Sequence, residues 1–433
     1  MAEPYFPSAP HRSEDDFERD LHTEHQVLNM GPSHPATHGT VKFLVELDGE
    51  NIVNLDIQVG YLHRGFEKEC EAGTWYQCIP YTDRLNYNSA VLANLGFCMA
   101  VEKMLGIETP ERCQWLRVMS GEIGRIGDHL TRCGAACLEL AAMTPFLYGI
   151  EARELTWDHL EILCGARVTS NYIRIGGVKH GMPPDFPASC RAYIAKTREL
   201  LRDFDDVITS NRIFVDRLKG TGVIDRATCL RYGVTGPILR STGEPLDLRK
   251  QEPYLVYDQI DFDVPVGTVG DNYDRYLVCV EEMHQSLRIV EQCLAKLEQL
   301  GPGPVNVFDP RVRWPAKGRV FNHMEELIQQ FKSVTEGPRV PAGEGYFAVE
   351  SANGELGFYL VSDGSAVPVK VRCRPPSFIN LAPMSGMLKG ALLADLIPTF
   401  DFINMIGGEC DRLARRARRS GSSSALPPTR SAA

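Results

Sequence analysis

A mainly helical α+β fold is what this sequence predicts, on three observations. Short alternating runs from Thr23 to about Gly60 read as a small sheet, with Asp48-Gly49 as a turn. From Thr82 to Leu300 the texture changes to long helices. Further on, Gly345 to Ser351, Gly357 to Ser362 and Val367 to Arg372 read as a β-meander, turned at Asn353-Gly354 and Asp363-Gly364. The implied organisation is an extended, charged arm over 1–22 and a small α+β region over 23–80. A bundle of long helices over 81–320 and a mixed α/β region over 321–412 follow, and then a tail over 413–433. The tail is Arg-rich and then Ser/Pro/Ala-rich, a composition that favours disorder or, through its arginines, an anionic lipid surface.

Local signals place the helices. Glu108-Thr109-Pro110-Glu111 offers a cap followed by proline, and Thr144-Pro145 repeats the device. Gly165 can close the second of these helices after Cys164, while Asp271 opens another that Gly301-Pro302 ends. The segments Thr82–Gly106 and Pro110–Leu140 are apolar on nearly every side, as befits helices inside a bundle. The second carries Glu122, Arg125, His129 and Arg132 along one face, and buried charges must be paired. An internal salt-bridge ladder is the plainer reading of that row, and a proton relay or a partner contact is the alternative.

The run Gly31-Pro32-Ser33-His34-Pro35-Ala36-Thr37-His38-Gly39 sets two histidines in a loop stiffened by proline and glycine, followed at once by the strand-like Val41 to Leu47. Histidine exchanges protons near neutral pH, so the loop is suited to proton delivery; a structural role for the pair is the plainer alternative. A third reading joins His22, His25, His34 and His38 into a metal site, against which stands the absence of any cysteine before Cys70.

Composition excludes several classes. A net charge of −10 supplies no broad basic surface for nucleic acid. The 13 cysteines are scattered without a CxxC pair, which argues against a disulfide framework and against iron–sulfur or zinc-ribbon ligation by this chain alone. Buried packing is the expectation for Cys133 and Cys137. The best apolar run, Ser89 to Val101, includes Asn94 and stops at Glu102, short of the ~20 residues that a bilayer requires. No nucleotide-binding glycine motif occurs; Gly121, Gly124 and Gly127 fall within a helix and suit close helix packing.

Five motifs in order carry a resemblance over about Thr23 to Arg412. They are the loop Gly31–Gly39, Gly60–Lys68 (GYLHRGFEK), Tyr81–Tyr87 (YTDRLNY), Asn171–Val178 (NYIRIGGV) and Glu350–Gly364. The sequence resembles the D-type subunit family of respiratory complex I, the NADH-quinone oxidoreductase, which is related to the large subunit of nickel–iron hydrogenases. The resemblance implies a hydrogenase-large-subunit-like fold and a peripheral-arm location on the cytoplasmic side of a bacterial inner membrane. The chain would pack against the B-type and C-type subunits, and reach the membrane arm at the quinone entrance. Electrons would come from NADH through FMN and iron–sulfur clusters held elsewhere, the last on the adjacent B-type subunit. Quinone reduction would be coupled to proton translocation, with no cofactor held by this chain alone. A non-catalytic architectural role is the alternative; a working hydrogenase would need two CxxC pairs that are missing here.

On the same basis the family's quinone-contacting histidine falls on His38 and its tyrosine on Tyr87, as catalytic residues. Supporting places fall on Glu139, where the family has an aspartate partnering the histidine, on Arg84 near the partner's cluster, and on His34. A phenol with a pKa of about 10 and an imidazole near about 6.5 can both donate hydrogen bonds to quinone carbonyls. Such bonds strengthen as electrons arrive. Thr169 stands where the family commonly has a histidine beside the cluster; losing that group weakens the link between cluster potential and pH and suits a low-potential acceptor such as menaquinone.

Overall fold

A computed structural model describes residues 25–411. The arm expected over 1–22, with His22, and the tail expected over 413–433 lie outside the described residues.

The described chain opens with an antiparallel sheet of β1 (Gln26–Met30), β2 (Val41–Asp48) and β3 (Asn51–Val59), in the order β1-β2-β3. Alternation of Val41, Phe43, Val45 and Leu47 turns one face of β2 inward, each of them 0–4 % exposed. Pairing slips between Glu46 and Leu47, where a bulge bends the edge toward the Asp48-Gly49 turn. A two-residue pairing of β4 (Ile173–Arg174) with β5 (Gly177–Val178) comes midway along the chain. The last sheet, β6 (Gly343–Ser351), β7 (Gly354–Ser362) and β8 (Lys370–Arg374), is the expected meander, though its third strand begins at Lys370 and not at Val367.

Long helices fill the middle: α1 (Trp75–Thr82), α2 (Ala90–Leu105), α3 (Glu111–Glu139), α4 (Met143–Cys164), α5 (Phe186–Ile208) and α6 (Asn272–Leu300). Beyond them, α7 (Met324–Thr335) precedes the meander and α8 (Leu396–Ile403) follows it. The Gly165 cap, at φ 80°, ends α4. Asp271 caps α6 by accepting from the Asp274 N–H at 2.8 Å. Two expected starts move. Pro110 itself stands at the N-cap of α3, and α4 begins at Met143, one residue before Thr144.

The larger correction concerns Thr82 to Ser89, expected to be helical. After α1 the chain leaves the helix, because the Asn86 Oδ1 accepts from the N–H groups of Asn88 (3.2 Å) and Ser89 (3.3 Å). That side-chain turn competes with helical hydrogen bonding and delays α2 until Ala90.

The row of charges on α3 is part of a wider buried network. Arg125 Nε meets Glu122 at 3.1 Å, and Arg249 reaches the same carboxylate at 3.2 Å. Tyr257 donates to Glu122 at 2.6 Å and Ser286 at 2.7 Å. Burial would raise the Glu122 carboxyl, but Arg125 and Arg249 with these hydroxyls bring it down to about 2. From α6, Glu282 takes His129 at 2.7 Å and Arg240 at 2.6 Å. Arg240 also meets Glu350 of β6 at 2.8 Å. Opposite charges thus hold α3, α6 and the meander together, and each would be costly alone.

Two apolar clusters form the core. The larger joins the helices to the meander. The smaller joins the inner face of β1–β3 to α8 and its flanks. Unlike these elements, α7 buries no residue, and Met324, Leu327, Ile328 and Phe331 expose an apolar stripe at helical spacing. No described helix is long and apolar enough to cross a membrane. All 13 cysteines are buried.

Candidate functional site

The histidine loop is a built structure. His34 precedes a short 3₁₀ turn, Pro35–Thr37, and its Nδ1 accepts from the Ala36 N–H at 3.2 Å. Thr37 is fully buried and donates to the carbonyls of Pro32 (3.1 Å) and His34 (3.0 Å). His34 is therefore occupied as a cap. His38 ends the turn in the left-handed region at φ 54°, which throws its exposed ring clear of the loop backbone. The ring lies 6.4 Å from that of Phe400 on α8. Desolvation lowers its pKa, and the Glu139 carboxylate opposes that effect from the end of α3. His25 pairs instead with Glu46 at 2.8 Å, and among the described residues no three His, Cys, Asp or Glu side chains converge as metal ligands.

Tyr87 sits half-buried in the Asn86 turn. The turn is tied to α3, since the buried Asp128 carboxylate accepts from Asn86 Nδ2 at 2.7 Å and from Ser89 Oγ at 2.9 Å. Burial raises the pKa of the Tyr87 phenol, and the charges of Asp128 and Glu409 raise it further. A backbone hydrogen bond from Gly407 works the other way.

The segment 404–411 links the two loops. A Cβ on Gly407 would stand 2.6 Å from Thr40 Cγ2, and one on Gly408 only 2.2 Å from the Arg84 carbonyl oxygen. Glycine lets this backbone slip between the histidine loop and the Tyr87 turn. The segment is pinned at its far side by Asp411, whose carboxylate accepts from His63 Nδ1 (2.6 Å) and the N–H groups of Arg64 (2.9 Å), Gly65 and Phe66 (both 3.2 Å). Burial alone would raise that carboxyl; these donors hold it below its ordinary range. Glu409 has less help, the Ser377 N–H donating to it at 3.1 Å. Sealed beside Asp128 and bonded to Ser377 Oγ, it is pushed by burial to about 7.

Arg84 faces elsewhere. Its Nη1 donates to the Pro80 carbonyl at 2.7 Å, and with Asp83, Thr169, Asn171 and Trp314 it lines a cavity of about 430 Å³. Asp83 there is raised by burial to about 7, against hydrogen bonds from Asn94 and Asn171. Thr169 takes a positive φ of 51°, unusual for a β-branched residue. His38, Tyr87 and Glu139 thus gather around α8 and the 404–411 segment, whereas Arg84 and Thr169 share a separate opening.

Sequence reasoning missed Asp128, Asp401, Glu409 and Asp411. Gly407-Gly408 was the available signal, since paired glycines mark a close backbone approach; the carboxylates carried none.

A helical core flanked by two small antiparallel sheets thus carries a histidine loop and a tyrosine turn that meet at one glycine pair. Residues 139–412 match the family described as respiratory-chain NADH dehydrogenase, 49 Kd subunit. The NADH-quinone oxidoreductase D-type subunit 1 of Sorangium cellulosum (strain So ce56) is 52% identical over 400 residues, covering 92% of this chain and 98% of that protein. The corresponding D-type subunit of Myxococcus xanthus (strain DK1622) is 50% identical over 418 residues, covering 95% of this chain and 100% of that protein. A more distant relative, the D-type subunit of Methylacidiphilum infernorum (isolate V4), is 46% identical over 389 residues, covering 90% and 92%. The chain belongs to the D-type (49 kDa) subunit family of NADH-quinone oxidoreductase, respiratory complex I.

Proposed function

We propose that this chain, together with an adjacent B-type subunit, forms the quinone-reduction site of the complex, with His38 and Tyr87 donating to the two carbonyl oxygens of the ring. The observation that supports the reading is the convergence on Gly407-Gly408: Thr40, two residues after His38, packs on the first, and the backbone of Arg84 and Leu85, leading into the Tyr87 turn, packs on the second. Two electrons from the cluster of the B-type subunit make the ring oxygens strongly basic. The Tyr87 phenol gives one proton and His38 gives the other. Glu139 favours the protonated imidazole, so His38 can be recharged between turnovers. Protonation at this site is coupled to proton translocation in other subunits.

The exposed stripe of α7 supports a buried place in the peripheral arm, against partners such as the B-type and C-type subunits. The arm stands on the cytoplasmic side of the inner membrane, with the membrane-arm subunits at the quinone entrance. Arg84 and Asp83 face the cluster of the B-type subunit. Thr169 in that cavity favours a low-potential quinone such as menaquinone, and a full proton-coupled slope in a pH titration of the cluster would count against it.

The test uses the assembled complex. Tyr87→Phe or His38→Ala is expected to abolish NADH:quinone activity and to leave NADH:ferricyanide activity intact. Normal quinone turnover in both variants would overturn the assignment and leave the chain an architectural role.

A further inference from the structure

Arg132 on α3 is 2 % exposed, yet its hydrogen-bond partners among the described residues include no carboxylate. Its Nη1 donates to Cys279 Sγ of α6 at 2.9 Å, and its Nη2 donates to Asn353 Oδ1. A guanidinium stays charged in a protein, and a buried charge without an opposite charge is costly. Of the two acceptors, only the fully buried Cys279 sulfur can carry that opposite charge.

The contacts lead on to the Tyr87 turn. The Asn353 oxygen that Arg132 holds also accepts from Asn404 Nδ2 at 2.6 Å. The same Asn404 amide donates to Asp128 Oδ1 at 2.8 Å, and Asp128 Oδ2 receives Asn86 and Ser89 of the turn. Asn404 caps α8 in the left-handed region at φ 53° and opens the segment that carries Gly407-Gly408.

We propose that Cys279 stands as a thiolate paired with Arg132, and that this pair positions the Tyr87 turn by keeping the guanidinium off Asp128.

Asp128 lies four residues before Arg132 on the same helix face, within reach of a guanidinium that has lost its partner. The donors that Asp128 now holds, from Asn86, Ser89 and Asn404, are all neutral, and a cation would displace them. The other cations near the sulfur are engaged elsewhere. Arg275, four residues before Cys279 on α6, is held by Asn272 and the carbonyls of Gly222 and Gly270. His129 Nε2 is taken by Glu282. Burial would raise the Cys279 thiol, but a hydrogen bond from Cys133 and the charges of Arg132 and His129 hold it well below its ordinary value. The inference rests on Tyr87 acting at the quinone site, as proposed above.

Cys279→Ser keeps the shape of the side chain and its acceptor but cannot hold the negative charge. In the assembled complex it should raise KM for quinone about fivefold, more than it lowers kcat, and leave NADH:ferricyanide activity intact. Arg132→Gln alone should be mild, because the thiolate then takes a proton from water and the new amide can still donate to Asn353. Adding Arg132→Gln to Cys279→Ser removes the stray cation. It should return KM to within about twofold of the unsubstituted complex. Packing alone predicts a double variant at least as impaired as Cys279→Ser. That result would overturn the pair, as would an unchanged KM in Cys279→Ser. Should Cys279→Ser fail to assemble, the double variant decides: assembly regained supports the pair, and continued failure removes it. Tyr87→Phe separates the two claims. If it reduces quinone normally, the quinone-site reading fails; if it is inactive while Cys279→Ser keeps its KM, only the positioning role fails.

Discussion

His129 on α3 and Glu282 on α6 share a hydrogen bond of 2.7 Å with both side chains sealed from solvent. Glu282 also receives Arg240, so one carboxylate balances two cationic groups from different parts of the chain. Burial would raise its pKa, but Arg240 and His129 keep it far below the carboxylate range. Glu282→Ala strands both partners. The expected loss is ~3–5 kcal/mol, read as a lower apparent Tm of the complex and less assembled complex on native gels. An unchanged Tm would show that the network contributes little.

Gly408→Ala is a different kind of lesion. Its methyl group would meet the backbone oxygens of Arg84 and Leu85 at 2.2 and 2.4 Å, and backbone cannot swing aside as a side chain does. The Tyr87 turn must move. Loss of most NADH:quinone activity is expected, with NADH:ferricyanide activity retained; equal loss of both would point to failed assembly instead.

Glu409 makes stability depend on pH. Its folded pKa of about 7 lies above its ordinary value, so the folded form binds a proton more tightly than the unfolded chain. The resulting stabilisation is complete below about pH 4.5 and is lost as pH rises through about 7, amounting to ~3 kcal/mol for ~2.5 pH units. Glu409→Gln should flatten that part of the Tm profile and raise Tm above the unsubstituted complex at pH ~8. It should also lower the Tyr87 pKa, because a negative charge near the phenol disappears.

Asn86→Ala removes the acceptor that holds the N–H groups of Asn88 and Ser89, and the amide that binds Asp128. Each lost buried hydrogen bond costs ~1–3 kcal/mol. With the turn loosened, KM for quinone should rise more than kcat falls. An unaltered KM would mean that the Asn86 turn does not position Tyr87.

Much of the scaffold was legible because its determinants are local. Gly165 and Asp271 act on their own helices, and the turns at Asn353-Gly354 and Asp363-Gly364 lie between the strands they join. The Asn86 turn was not legible, since the carboxylate that fixes it is 42 residues away on α3. The places of His38, Tyr87 and Glu139 came from resemblance, for nothing in their spacing announces that α3 ends near the histidine loop. Asp401 gave no sign at all. In Thr399-Phe400-Asp401-Phe402-Ile403 it reads as one polar residue in an apolar helix, and only the packing of α8 reveals that it is buried.

The Asp411 carboxylate closes on the His63 loop across 348 residues of chain. A nascent polypeptide has no local substitute for that anchor, so on the ribosome the histidine loop and the tyrosine turn must wait, unclamped, for nearly the whole message to be read. A product cut before Gly407 lacks the glycine pair on which Thr40 and the Arg84-Leu85 backbone pack. The last residues of the described chain thereby fix the place of its first loops.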